Sequence, residues 1–462
     1  MSLDQVLSHI DDDQDAALDR LMELLRIQSI STDSAFAQHC DAAADWLVDD
    51  LTALGFTASK RETLGHPMVV AHSEGSGKHA MFYGHYDVQP IDPIELWTTP
   101  PFKPKLEETP NGMVIRGRGA SDDKGQLMTF LEACRAWKAV TGSLPIKISV
   151  LLEGEEESGS PSLIPFMEAN KEELKSDITL ICDTGMIASN TPSIVTMLRG
   201  LVGQQVTITS ATKDLHSGFF GGLACNPIRV LNNALAKLHD NDGRITLDGF
   251  YDDVKELPES VAKQWNNIDW SEERFLGDVE LSVPAGEAGR SGLEQIWSRP
   301  SCDVNGIWGG YTGEGSKTVI PSQAHAKVSF RLVPGQDPLK IRALFQTHMR
   351  AQLPADCTID FIDYGAAPAA SMAINNPAFE LARKALTDEW KTEGVYVGCG
   401  GSIPIAGHFQ DIIGVQSMLI GFGQDDDQIH SPNEKYDLRS FHKGIRSWAR
   451  IIHALADEDT HL

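Results

Sequence analysis

Residues 80–90 read AMFYGHYDVQP. An apolar run of strand length ends on glycine, and His85 and Asp87 follow on either side of one aromatic. In extended chain, residues i and i+2 point to the same side. The pattern predicts a buried strand whose end carries a histidine and a carboxylate on one face. A lone pair of this kind fits a structural contact as readily as a metal site, so the rest of the chain has to decide.

The motif recurs along the sequence. KISVLLEG (147–154) is followed by Glu155, Glu156 and Glu157, and ITLIC (178–182) by Asp183. SMLIGFG (417–423) leads into DDDQIHSPNEK, which contains His430. The glycine-rich GRGASDDKG (117–125) supplies Asp122 and Asp123 in a tight turn. Between these segments lie apolar positions at helical spacing: 14–27, 40–54 (stopping at Gly55), 126–140, 377–390 and a terminal helix. Strands alternating with helices predict an α/β domain, a mixed central sheet flanked by helices on both faces.

The character changes near residue 199. GLVGQQVTITSATKD alternates as a half-exposed strand does, 226–240 is helical, and 241–320 is irregular. AHAKVSFRLVP (324–334) alternates again, followed by a helix and the strand CTIDFIDYG. This predicts two helices over an antiparallel sheet, an inserted α+β domain of ferredoxin-like type. The expected division is 1–198 with 372–462 for the first domain and 199–371 for the insert, which suits a chain of 462 residues.

Open α/β sheets place ligands outside the carboxyl ends of their strands. Five segments here deliver two histidines and several carboxylates to that edge. So many like charges repel unless a cation holds them. The set suits divalent zinc, manganese or cobalt, and is too large for one tetrahedral zinc. Two ions sharing one bridging carboxylate accommodate it. In extended backbone, Glu156 and Glu157 would point in opposite directions. One carboxylate could then bind metal while the other serves as general base toward water. His85 would ligate metal through one ring nitrogen while Asp87 fixes the other.

GHYDVQP, GRGASDDKG, EGEEESGS, DLHSGFFGG, FRLVP, GGSIP and IHSPNEK occur in this order. Together they resemble the di-metal metallopeptidases of the aminoacylase–carnosinase family, in particular its carnosinase-like dipeptidases, from about residue 15 to residue 455. The resemblance implies that Asp122 bridges two metals, with His85 and Asp183 completing one and Glu157 and His430 the other. It implies Glu156 as general base, Asp87 behind His85, Asp123 as a non-ligand, and a cis peptide after Asp122. It further implies that the insert is a lid and dimerisation domain. His216 would reach the scissile carbonyl of a neighbouring subunit, Arg331 would bind the substrate carboxylate, and Gly400, Gly401 and Ser402 would assist it, with Thr318 from the partner.

The expected activity is hydrolysis of dipeptides or short peptides with a free C-terminal carboxylate. An N-acyl-amino-acid deacylase of the same family is the alternative, and a metal-binding protein without catalysis is a third reading that Glu156 argues against. The expected cofactors are two divalent ions, zinc first. A formal charge of −26 disfavours nucleic acid and anionic membranes as partners. Seven scattered cysteines without CxxC spacing argue against a disulfide framework or a thiolate zinc site. With an acidic, polar opening stretch and no long apolar run, the expectation is a cytoplasmic protein, and the resemblance implies a homodimer. GxGxxG in a dinucleotide context and GxSxG are absent. His72, His79, His408 and His442 are left as surface or structural residues.

Overall fold

The computed structural model describes residues 2–457 apart from Ser76, Asp278, Ala373, Ser402 and Ile403. Its contacts divide the chain into two units, residues 1–196, 372–397 and 408–462 in the first and 197–371 with 398–407 in the second. Among the described residues, no helix is long and apolar enough to cross a membrane.

The first unit is built on a mixed sheet. At its centre four parallel strands lie side by side in the order Lys147–Glu153, His79–His85, Ile178–Ile181, Ser417–Leu419. Met68–His72 and Thr57–Arg61 extend it antiparallel beyond Lys147–Glu153. On the other side, Ser417–Leu419 pairs antiparallel with Ser193–Leu198 at Leu419 and Val195. The central strands are buried along nearly their whole length because both faces are covered. Phe82 and Tyr83 illustrate this, since neighbours in a strand face opposite ways. Phe82 stacks on Phe130 of the helix Lys124–Thr141 at 3.9 Å between ring centres and meets Trp448 of the helix Leu438–Leu455 edge-on. Tyr83 meets Phe409 on the opposite face.

A helix Leu3–Asp12 precedes the expected one at Gln14–Leu25. A small antiparallel sheet of Lys105–Thr109, Gly112–Arg116 and Lys435–Asp437 also went unread. Its strands are short and mostly polar, so no apolar run marks them.

The second unit carries a four-stranded antiparallel sheet in the order Ser301–Gly309, Gln323–Leu332, Gly200–Thr209, Thr358–Ala367. Gly200–Thr209 alternates strictly between buried and half-buried. Val206, Ile208, Val328 and Phe330 form one core with Leu231 of the helix Pro227–Leu235 and Phe345 of the helix Pro338–Ala351. Asn226 and Asp337 cap these helices by accepting from the backbone N–H of Ile228 and Leu339. The expectation of irregular chain over 241–320 needs correction. Ser301–Gly309 is an edge strand there, and Glu259–Trp265 and Glu272–Gly277 are short helices. The strand escaped notice because it is largely exposed and its register breaks between Val304 and Gly306, which destroys the alternation.

Candidate metal centre

His85 is the last residue of the strand His79–His85 and is fully buried. Asp87 lies beyond the strand end but still reaches it. His85 Nδ1 is 3.3 Å from Asp87 Oδ1 and 3.2 Å from the Asp87 carbonyl oxygen. A carbonyl only accepts, so Nδ1 carries the proton and Nε2 presents its lone pair. Nε2 lies 3.2 Å from Asp122 Oδ1 yet makes no hydrogen bond there. Burial disfavours the charged ring, but the Asp122 and Asp87 carboxylates outweigh it and hold the His85 pKa well above its ordinary value. A cation at Nε2 would displace that proton.

Asp122 does not follow a strand of the central sheet, as the sequence reading had it. It leaves the small antiparallel sheet and stands just before the helix Lys124–Thr141, after Ser121 and ahead of a cis peptide to Asp123. Glu434, fully buried, holds this loop. One of its oxygens accepts from the backbone N–H of Ser121 at 2.9 Å and of Asp122 at 3.1 Å. The other accepts from Gly119 N at 2.9 Å and from Arg118 Nη1 at 2.8 Å. Ser121 Oγ adds a 2.7 Å bond to Asp427. The segment that carries His430 is thus tied to the loop that carries Asp122 at both of its ends. Close packing fixes the loop further, since a Cβ at Gly125 would come within 1.9 Å of the Ala120 carbonyl oxygen.

His430, at φ +57°, brings Nε2 to 2.8 Å from Asp122 Oδ2 and 3.4 Å from Glu157 Oε2. Asp122 therefore turns one oxygen to each histidine. Burial would raise its pKa, but the hydrogen bond from His430 and the charge of the nearby His85 ring hold it well below the carboxylate range. The bond to Asp122 pushes His430 up to about 9.

Glu156 and Glu157 are not extended. They form a 3-10 turn, Glu156–Ser158, closed by Gly159 at φ +89°. The turn forms because the Asp87 carboxylate, besides orienting His85, accepts from Glu156 N at 3.3 Å and Glu157 N at 3.0 Å. Gln89 Nε2 donates to Glu157 Oε2 at 2.5 Å, while Glu157 Oε1 is buried without a partner. Burial, then the Asp122 charge, pushes Glu157 up to about 8. Burial also raises Glu156, and raises Asp183, at the end of Ile178–Ile181, well above its ordinary value.

The arrangement resolves into two groups, His85–Asp122–Asp183 and Asp122–Glu157–His430. Within each, one ligand atom per residue lies within 4.8 Å of the others. They share Asp122, and Glu156 belongs to neither. The nitrogen and oxygen donors suit borderline or hard divalent cations. The orphaned His85 Nε2 and Glu157 Oε1 and the raised carboxylates identify what the residues lack, a positive charge among them. Uptake of a cation here must release protons. Gln89, Arg118, Asp427 and Glu434 are the residues that sequence reasoning missed; Gln89 and Glu434 stand inside GHYDVQP and IHSPNEK, beside the residues it named.

Three of the histidines left aside, His72, His79 and His442, are partnered elsewhere. His72 Nδ1 and His79 Nε2 both meet Ser149 Oγ at 2.7 Å, and His442 pairs with Asp11 at 2.9 Å.

The second unit carries the remaining candidates. His216 is exposed, and its Nδ1 accepts from Gly218 N at 2.9 Å. A neutral ring therefore holds its proton on Nε2. Ser217 N donates to the Thr318 carbonyl at 3.0 Å beside the two-residue ladder of His216 with Val319, so His216 and Thr318 share one corner. Arg331 lies in Gln323–Leu332 opposite Ser301. Gly401 accepts from Arg199 N at 3.1 Å. Arg199, also missed, is buried, with bonds to the Ile296 carbonyl and Ser301 Oγ. Burial, then the nearby Arg331 charge, lowers its pKa to about 10. Ser402 lies outside the described residues.

Comparison with known proteins agrees with this chemistry. Residues 81–454 match peptidase family M20/M25/M40. The Cys-Gly metallodipeptidase DUG1 of Saccharomyces cerevisiae is 31% identical, over 98% of this chain and 98% of its own. The human Beta-Ala-His dipeptidase is 29% identical, over 98% of this chain and 93% of its own. The solved structure of the di-peptidase Dug1p from Saccharomyces cerevisiae superposes with a TM-score of 0.81 at 28% identity, covering 99% of each chain. The chain belongs to peptidase family M20/M25/M40, on the branch that holds the Cys-Gly and Beta-Ala-His dipeptidases.

Proposed function

We propose that this chain is a metal-dependent dipeptidase that hydrolyses dipeptides or short peptides with a free C-terminal carboxylate. The observation that carries the reading is Asp122, which offers one oxygen to each of two His/carboxylate groups while Glu156 stands beside them as a spare carboxylate. The relatives named above support the substrate class.

Two divalent ions, zinc before manganese or cobalt, are assigned to His85, Asp122, Asp183, Glu157 and His430. Bound there, they supply Lewis acidity toward water and the scissile carbonyl. Glu156 takes the proton from the attacking water and returns it to the leaving amine. Burial raises its pKa, which favours its holding the proton in transit. Asp87 keeps the His85 tautomer and fixes the turn that separates Glu156 from Glu157. His216, with Nδ1 engaged by Gly218 N and Nε2 left to donate, is the donor for the developing oxyanion. Arg331 binds the substrate carboxylate, and the second guanidinium of Arg199 strengthens the positive field there. Gly401, Ser402 and Thr318 are assigned to the same carboxylate.

The first domain, 1–198 with 372–462, is the catalytic one, and 199–371 is the lid and dimerisation domain. Exposed Phe219, Leu223, Ile307 and Trp308 in the second unit support a homodimer formed through it. Seven free thiols fit a reducing, cytoplasmic setting.

The test is hydrolysis of a small dipeptide panel by metal-stripped protein reconstituted with zinc, manganese or cobalt, with N-acetyl and N-succinyl amino acids alongside. Cleavage of free dipeptides is expected, with loss on amidation of the C-terminal carboxylate. Cleavage of the acylated amino acids alone would assign the chain to the deacylases instead.

A further inference from the structure

Two cysteines, far apart in sequence and unused by the site chemistry, meet in the second unit. Cys225 and Cys357 are 132 residues apart, and their sulfurs lie 3.5 Å from each other. At that distance the sulfurs are in contact, so bonding them needs no encounter between separate segments. Cys225 is half-buried and Cys357 is 8% exposed. Cys40, Cys134, Cys182 and Cys302 are buried.

Their positions give the contact a consequence. Cys225 ends the loop that begins at His216. That loop is a short helical turn, Ser217–Phe220, followed by bonds from Leu223 N and Ala224 N to the Phe220 carbonyl. Directly after Cys225, Asn226 caps the helix Pro227–Leu235. Cys357 stands in the turn before the strand Thr358–Ala367, its N–H donating to the Pro354 carbonyl at 3.0 Å. A link between the two sulfurs would fasten the His216 loop to the rim of the sheet. The loop is otherwise held by few internal bonds, and Phe219 and Leu223 in it are 82% and 90% exposed.

We propose that Cys225 and Cys357 are an oxidation site, a dithiol that a hydroperoxide converts reversibly to a disulfide and that thereby restrains the His216 loop. In the first step the Cys225 thiolate attacks a peroxide oxygen. An S–O bond forms, the O–O bond breaks, and hydroxide leaves and is protonated to water. In the second step Cys357 sulfur attacks the Cys225 sulfenic sulfur, the S–S bond forms, and a second water leaves with the Cys357 proton. Two thiols lose two electrons and the peroxide gains them. An external thiol reverses the change. Cys225 is half-buried and Cys357 buried, so Cys225 is the sulfur that a peroxide reaches and oxidises first.

The experiment treats the full-length, metal-loaded protein with increments of hydrogen peroxide and then with dithiothreitol. Free thiols should fall from seven to five and return to seven. A non-reduced digest should yield one linked peptide joining Cys225 to Cys357. Amide exchange across residues 217–224 should slow several-fold in the oxidised form and recover on reduction. Cys225→Ser, at a half-buried position that tolerates the change, should abolish the linked peptide and the exchange effect together. Neither readout depends on the role assigned to His216. A thiol count that stays at seven, a linkage to any other cysteine or between chains, or oxidation of Cys225 to sulfinic acid with no linked peptide would each overturn the proposal.

Discussion

The cluster around Asp122 and the corner around His216 are built on opposite terms. In the first, three functional groups have a partner behind them: buried Asp87 behind His85, buried Glu434 behind the Asp122 loop, half-buried Gln89 behind Glu157. In the second, His216 is exposed and held by one backbone N–H two residues away. A cation site needs donors fixed against mutual repulsion in a place with little water, which demands bracing from several elements. A group that meets a substrate has to stay open to it, so local chemistry alone sets its tautomer. The same chain carries a rigid and an open set of polar residues, and each is legible by what stands behind it.

Substitutions can break this contrast in order of expected size. Glu156→Gln removes a proton carrier without touching either ligand group. It should lower kcat by about 10²- to 10⁴-fold while metal content, measured by elemental analysis, stays at the wild-type level. Retained turnover would move the base elsewhere. His216→Ala removes the donor assigned to the oxyanion together with the acceptor of Gly218 N, and should lower kcat by about 10²- to 10³-fold with metal binding unchanged. Mixing it with Glu156→Gln, with subunit exchange confirmed, should restore part of the activity if the residue acts in a neighbouring subunit; no restoration would confine it to its own.

Glu434→Gln sharpens the comparison from the other side. It touches no ligand atom but exchanges an acceptor of four donors for an amide with only one oxygen. Metal affinity, read by competition with a chelator, should fall by about 10- to 100-fold. Unchanged affinity would mean that the Asp122 loop holds itself. The same change should leave the His216 corner untouched, as judged by amide exchange over 215–220.

Much of the first set was readable from sequence because its chemistry follows strand ends. His85, Asp183 and the Glu156–Glu157 pair sit where apolar runs stop, and the runs themselves mark the sheet. The backbone between those points was less readable. Glu156 and Glu157 form a turn because a carboxylate from another strand accepts their N–H groups, a tertiary effect that no local pattern contains. Glu434 stands in IHSPNEK in plain view, yet its role depends on a loop more than 300 residues away in the chain. In the second unit, alternation exposed Gly200–Thr209 and Gln323–Leu332 but missed Ser301–Gly309, whose edge position and bulge leave no alternation to read. Arg199 lay hidden for a simpler reason, as a charged residue between two apolar strands looks like a surface residue until its burial is seen.

The Glu434 brace also has a meaning in time. Contacts between 118–122 and 427–434 can close only when nearly the whole chain has been synthesised. The greater part of the second unit, 197–371, is contiguous and emerges earlier, with its four strands and both covering helices already in one stretch. During translation the insert can therefore fold on its own contacts, whereas the first unit must wait with His85, Asp122, Glu157 and Asp183 exposed as an open array of carboxylates and imidazole. The segment 427–434 thus acts as the lock of the metal centre. A chain that stops before His430 and Glu434 would hold most of the ligands but lack the brace on the Asp122 loop.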